Sequence, residues 1–254
     1  MRFLSAAAQH IGARPYQEDS FGFSDPDDRA FVAHAGYLAV LCDGMGGLQH
    51  GAKASHTAVN VFLSCYRAKT EQETIPAALT RSVHETNGQV VDLARKLGTE
   101  DGMGTTLVAA VLHKNFLYYV SVGDSGLFHL TGRGLRTINH PHVFATLLDE
   151  AVARGIMTEQ AALEHPERAA LTSFIGAEPL SEVDGGKDPI RLSPGDSILL
   201  ASDGLFNTLT TREIRGSLKG DPQNWPDVLV AKTLEKKHEY QDNVTVLSLT
   251  LLSQ

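Results

Sequence analysis

Five short segments of this chain share one trait: each sets an acidic residue at a strand end or in a tight turn. They are Arg14-Pro15-Tyr16-Gln17-Glu18-Asp19, Asp43-Gly44-Met45-Gly46-Gly47, Gly123-Asp124-Ser125, Ser202-Asp203-Gly204 and Asp242-Asn243. A carboxylate that follows an apolar strand sits where a sheet edge meets solvent, and several such edges can converge on one cleft. Oxygen-only donors of this kind suit hard cations such as Mg²⁺ and Mn²⁺. Two such ions, about 3.5–4 Å apart, can share a carboxylate and a water that attacks phosphorus in line. A glycine beside an aspartate lets the backbone carbonyl reach an ion. One Asp-Gly is more often a turn than a ligand, so the set carries the argument and no single member does.

The elements that must position these residues can be read from periodicity. Arg2 to Gly12, Asp19 to Ser24 and the apolar run Tyr37 to Cys42 read as strands. Ala54, Ala58, Val61, Phe62 and Cys65 recur at helical spacing. So do Leu79, Val83, Val90, Ala94 and Leu97, with Pro76 near the start and Gly98 just past the end. Thr105–His113 and Phe116–Val122 flank Lys114-Asn115 as a hairpin; Leu127–Thr131 and Leu135–Asn139 flank Gly132-Arg133-Gly134 as another. Helices are expected over Val143–Gly155, Glu159–Glu164, Thr211–Leu218 and Trp225–Lys237. Strands are expected at 190–192, 197–201 and through Leu247, Leu249 and Leu251. Hairpin-linked strands and paired helices predict a mixed α+β layered fold. With no linker-like tract or repeat, one continuous domain over 1–254 is expected.

In this order the segments resemble the metal-dependent, type 2C protein phosphatases, in their bacterial form. The resemblance rests on Arg14 with Glu18-Asp19, then Leu41-Cys42-Asp43-Gly44-Met45-Gly46-Gly47 with Gly51 and Ala54-Ser55. It continues through Gly102-Met103-Gly104-Thr105-Thr106, Val122-Gly123-Asp124-Ser125, Leu200 to Leu205 and Asp242-Asn243-Val244-Thr245. It implies a four-layer α-β-β-α sandwich of two antiparallel sheets flanked by helix pairs. It implies hydrolysis of phosphoserine and phosphothreonine esters at two Mn²⁺ or Mg²⁺ ions. Asp43 would bridge the ions and the Gly44 carbonyl would bind one. Asp203 and Asp242 would complete the other shell, with Asp19 and Glu18 ligating directly or through water. Asp124 with Asp203 would hold a third ion, and Arg14 would clamp the substrate phosphate. A flap subdomain near 141–180, containing Gly155-Ile156-Met157-Thr158 and His165-Pro166-Glu167-Arg168, would lie beside the site and shape substrate choice. The chain departs from the family pattern at Met45, where eukaryotic relatives carry a histidine proposed as general acid. It departs again at Gly126, where arginine is frequent, and at Glu18, where many bacterial relatives have glutamine.

Other chemistries are weaker. Gly46 to Lys53 nearly matches a phosphate-binding loop, but Ala52 intrudes between Gly51 and Lys53. A cysteine-dependent phosphatase would want an arginine six residues after Cys42, and Leu48 stands there. His140 and His142 flank Pro141 without a zinc-site spacing, which makes them loop histidines. Trp225 and Cys65 are expected in the core. The net charge of −8 and the lack of a basic block argue against nucleic acid or anionic lipid. Two cysteines without a C-x-x-C point to a reducing, cytoplasmic setting, and no apolar run is long enough for a membrane span. A monomer acting on phosphoproteins, opposite a cognate serine/threonine kinase, is the expected arrangement. The competing readings are a catalytically silent module that binds a phosphoprotein or kinase, and a nucleotide-binding switch.

Overall fold

The structure is a computed structural model that describes residues 3–46, 50–100, 102–186 and 188–252. Arg2, Gly47, Leu48 and Gln49 lie outside the described residues. The first sheet contains β1 (Phe3–His10), β7 (Gly126–Thr131), β8 (Gly134–Thr137), β10 (Ser197–Ala201) and β11 (Val244–Leu251), in the order β1-β11-β10-β7-β8. The second contains β2 (Asp19–Phe23), β3 (Tyr37–Met45), β5 (Leu107–His113), β6 (Phe116–Val122) and β9 (Ile190–Arg191), with the short β4 (Gly104–Thr105) paired to the end of β3. Every pairing between strands is antiparallel.

Three apolar layers explain the stacking. Leu41, Val108, Ala110, Leu200, Leu247 and Leu249 fill the space between the sheets. On alternate positions of the second sheet, Leu38, Val40, Ala109 and Val111 face α2 (His50–Arg67) and α3 (Ile75–Leu97). On the first sheet, Leu199, Ala201 and Val246 face α7 (Thr211–Ser217) and α8 (Trp225–Glu235), against which Trp225 is buried. The period-2 alternation of strands thus sends one set of side chains inward and the other toward helices. The result is the expected order of helix, sheet, sheet and helix.

Local signals set the helix ends. Thr74 accepts from the Ala77 amide, Pro76 lies in the first turn of α3, and Gly98 closes it in the left-handed conformation. The true inner face of α2 runs Ala54, Ala58, Phe62, Tyr66, with Tyr66 Oη donating to the Ala35 carbonyl at 2.7 Å. Val61 and Cys65 flank that face and are only partly covered, a correction to their expected core positions. Two helices escape the sequence pattern: α1 (Arg29–Ala35) and the single turn α6 (Asp203–Phe206). The segment after β8 carries α4 (Phe144–Ala153) and α5 (Glu159–Leu163). Its two ends are pinned: His142 N donates to Gly123 O at 3.0 Å, and Thr105 pairs with Ile175.

Candidate metal centre

One end of the sandwich gathers the acidic segments. Asp19 opens β2 and lies opposite Asp43 in the β2–β3 register. Asp203 follows β10 at the start of α6, Asp242 precedes β11, and Asp124 sits between β6 and β7. Strand order explains their meeting, because β10 and β11 are neighbours and β3 pairs with β2. Asp19 is fully buried, at 4% exposure, whereas Asp43, Asp124, Asp203 and Asp242 keep partial contact with solvent. The carboxylates therefore line a cleft that ions can enter.

Polar neighbours hold this arrangement. Asp19 Oδ2 accepts from Ser202 Oγ at 2.8 Å and from Thr245 Oγ1 at 2.6 Å. The Asp43 amide donates to Thr106 Oγ1 at 2.9 Å, and Asp43 O accepts from Thr105 Oγ1 at 2.8 Å. Thr106 Oγ1 in turn meets Ser125 Oγ at 2.7 Å, which couples the Asp43 and Asp124 turns. Gly123 N donates to His142 Nδ1 at 3.1 Å, so the buried His142 fixes the Asp124 turn instead of lying free in a loop. Asn243 is the hub of the first segment. Its Nδ2 donates to the carbonyls of Ile11 (2.8 Å) and Tyr16 (3.0 Å), and its Oδ1 accepts from Glu18 N at 2.7 Å. Gly44 has to be glycine on packing grounds: a Cβ there would lie 2.2 Å from Gly51 O at the start of α2.

The electrostatics are those of crowded negative charge. Burial first, then Asp19, Asp203, Asp124 and Asp242, push the Asp43 carboxyl far above the usual carboxylate range. Burial and neighbouring carboxylates, Asp124 foremost, raise Asp203 to about 7. Asp19 rises to about 6 through burial, despite the two hydroxyls that favour its charged form. Asp124 rises through burial alone, and Glu18 through burial against the opposing pull of Arg14. Two buried oxygens, Asp19 Oδ1 and Glu18 Oε1, have no hydrogen-bond partner. Buried acceptors are normally satisfied, so such orphans call for a ligand or ion. Among the described residues no three His, Cys, Asp or Glu side chains already form a tight shell. Arg14 Nη2 donates to Asp242 Oδ2 at 2.6 Å and occupies that oxygen. The donor set is all oxygen, which fits Mg²⁺ or Mn²⁺ with water completing the shell.

The structure thus brings Arg14, Glu18, Asp19, Asp43, Gly44, Asp124, Asp203 and Asp242 to one end of the molecule. The supporting hydroxyls of Ser202, Thr245, Thr106 and Ser125, and the His142 and Asn243 braces, are additional members of the site. Burial pushes the Cys42 thiol well above its usual value, which removes it as a nucleophile. Lys53 lies inside α2, and part of the glycine loop before it, 47–49, is outside the described residues.

Comparison with known proteins agrees with this geometry. The family model described as protein phosphatase 2C matches residues 8–229. The serine/threonine phosphatase stp of Listeria welshimeri is 32% identical over 238 residues, covering 92% of this chain and 90% of the relative. The structure of the S. agalactiae serine/threonine phosphatase superposes with a TM-score of 0.83 at 26% identity, covering 98% of this chain and 100% of the other. The catalytic domain of the serine/threonine protein phosphatase PstP, in complex with two manganese ions, superposes with a TM-score of 0.76 at 26% identity, each chain covered to 99%. With the acidic segments in family order and the two-sheet sandwich beneath them, the chain belongs to the protein phosphatase 2C family and is a serine/threonine phosphatase of that type.

Proposed function

We propose that this protein removes phosphate from phosphoserine and phosphothreonine on other proteins, with two Mn²⁺ or Mg²⁺ ions held by its buried carboxylates. One observation carries this reading: five aspartates crowd one cleft and a buried oxygen of Asp19 lacks any partner. Unpaired buried charge is costly, and divalent cations remove that cost. The manganese-bound PstP domain supports the choice of ion.

Asp43 is suited to bridge the ions, since it lies amid all the other carboxylates. Asp203 and Asp242 serve one ion, and the Gly44 carbonyl with Asp19, aided by Glu18, serves the other or its waters. Asp124 with Asp203 supplies a third, weaker position. When bound, the ions supply Lewis acidity toward phosphoryl oxygens and a water acidic enough to lose its proton near neutral pH. Arg14, half exposed at the mouth of the cleft, binds and orients the phosphate through its planar fork. Met45 carries no acidic proton, so the leaving alkoxide takes its proton from water.

The segment 141–180, pinned at Gly123 and Thr105, acts as a flap over the site. A serine/threonine kinase must install the phosphates this enzyme removes. The cytoplasm, where such kinases find ATP, fits two free cysteines and the absence of a helix long and apolar enough to cross a membrane among the described residues. Purified protein is expected to hydrolyse p-nitrophenyl phosphate and phosphoserine peptides with Mn²⁺, and chelator should stop both. Full activity in Asp203→Ala refutes the site assignment.

A further inference from the structure

We propose that the end of the sandwich remote from the carboxylates holds a second phosphate of the same substrate peptide, in a cavity built by Arg133, Arg136 and Arg191. This rests on the phosphoprotein substrate proposed above and narrows it to chains phosphorylated at two sites.

The cavity measures about 720 Å³. Its wall includes His129, which is only 4% exposed. His129 and Arg136 are opposite one another in the β7–β8 register. Arg136 Nη2 donates to His129 Nδ1 at 3.3 Å, and His129 Nε2 donates to Asp196 Oδ2 at 3.2 Å. The Asp196 oxygen also accepts from Ser193 N at 2.9 Å, so it is committed to building the wall. A fourth guanidinium, Arg215 on α7, lies beside Gly134, 3.6 Å from where a Cβ would stand. Among the described residues none of these four arginines has a carboxylate within 4.0 Å. In a chain with a net charge of −8, this concentration of unneutralised cations is not a general property of the surface.

Guanidinium forks bind phosphate through paired, charge-assisted hydrogen bonds. A phosphorylated side chain brings a charge of about −1.5 to −2 and three acceptor oxygens. The peptide follows from where the cavity lies. β8 is the terminal strand of its sheet. At one end Thr137 borders a cavity of about 280 Å³ that Asp124 also lines, and at the other Gly134 and Arg133 border the arginine cavity. An open strand edge is a template for an extended peptide. A substrate laid along β8 would run from Asp124 to the arginines. The seven residues from Asp196 to Asp203, which include β10, set the distance between the two ends. At ~3.3 Å per residue that is roughly 23 Å, so the two phosphates must stand about seven residues apart.

The test compares phosphoserine peptides carrying one phosphate, two phosphates two residues apart, and two phosphates seven residues apart, with Mn²⁺. The wild type should show kcat/KM about 10-fold or more higher on the seven-residue spacing, expressed in KM. The double variant Arg133→Ala/Arg136→Ala should fall to the single-phosphate value, with p-nitrophenyl phosphate turnover unchanged. Equal kcat/KM on all three peptides overturns the inference, as does a variant that keeps the preference. Loss of the preference in the presence of inorganic phosphate, at concentrations that leave single-phosphate turnover intact, assigns the cavity to free phosphate and overturns the peptide. If wild type hydrolyses neither p-nitrophenyl phosphate nor any peptide, the proposed function itself fails; hydrolysis with a flat peptide series sinks only the second site.

Discussion

Arg14 and Asp242, 228 positions apart in sequence, meet through a 2.6 Å hydrogen bond at the mouth of the acidic cleft. The contact joins the residue suited to bind phosphate to one suited to bind metal. Both side chains are substantially exposed, at 52% and 38%. An ion pair this open contributes only about 0–1 kcal/mol to stability. Its interest lies in exchange: a cation on Asp242 frees the guanidinium for the phosphate.

Arg14→Ala should therefore separate activity from stability. Losing a charge-assisted contact to phosphate costs about 1.5–3 kcal/mol, roughly 10- to 150-fold in kcat/KM. The melting temperature should move little. Arg14→Lys should recover only part of the activity, since an ammonium cannot make the paired contact. Kinetics with p-nitrophenyl phosphate beside a thermal melt checks both; a large drop in melting temperature would make Arg14 structural.

Stripped of metal, the protein should lose stability as pH rises. Asp203 and Asp19 stand at about 7 and about 6 when folded, against an ordinary value near 3.8, and Asp43 is raised further. Between about pH 4 and 7 the folded state then holds more protons than the unfolded one. Stability falls with pH wherever the native state binds the excess protons. In chelator, the melting temperature should decline from pH 5 to 7.5. With Mn²⁺ the decline should vanish, because the ions favour the ionised carboxylates. A chelated protein that is more stable at pH 7.5 than at pH 5 would contradict the crowded-carboxylate description.

Strands and the acidic turns were legible in the sequence because apolar alternation ends abruptly at each aspartate, as Leu41-Cys42-Asp43 and Ala201-Ser202-Asp203 illustrate. Helix α3 was legible from its caps. Helix α1 was not: its seven residues are too few for a periodic face to emerge, and only Phe31 and Ala35 are buried. Helix α6 hides because Asp203-Gly204 reads equally well as a turn. Tyr66 was missed on α2, although it continues the four-residue spacing of Ala54, Ala58 and Phe62. The hydroxyls on Asp19 carry no local signal, since their partners lie 183 and 226 positions away. His142 likewise looked like a loop residue until Gly123 was found against it.

Those hydroxyls predict a measurable effect on the metal. Ser202 and Thr245 orient Asp19 and favour its charged form. Groups that orient a ligand typically change metal affinity or activity by about 10- to 100-fold when removed. Thr245→Val, which keeps the shape, should raise the Mn²⁺ concentration needed for half-maximal activity by that factor. Activity at saturating Mn²⁺ should recover. An unchanged Mn²⁺ dependence would remove Asp19 from the ion-binding set.

Two glycines near the same region predict opposite responses to one methyl group. At Gly204 a Cβ would lie 2.0 Å from Asn243 O, a backbone atom that cannot swing aside. Gly204→Ala must therefore push the Asp203 turn away from the Asp242 segment. Overpacking of this kind costs about 1–3 kcal/mol, and here it also parts two aspartates placed on one ion. A lower melting temperature with weaker Mn²⁺ activation is expected. Gly216, inside α7, has nothing within 4 Å of such a Cβ. Gly216→Ala should stabilise by about 0.4–1 kcal/mol, since alanine is the better helix former and restricts the unfolded chain. Parallel melts and Mn²⁺ titrations of the two variants test the packing at the site against simple helix propensity. Equal effects would mean that the close approach of Gly204 to Asn243 does not govern the placement of Asp203 and Asp242.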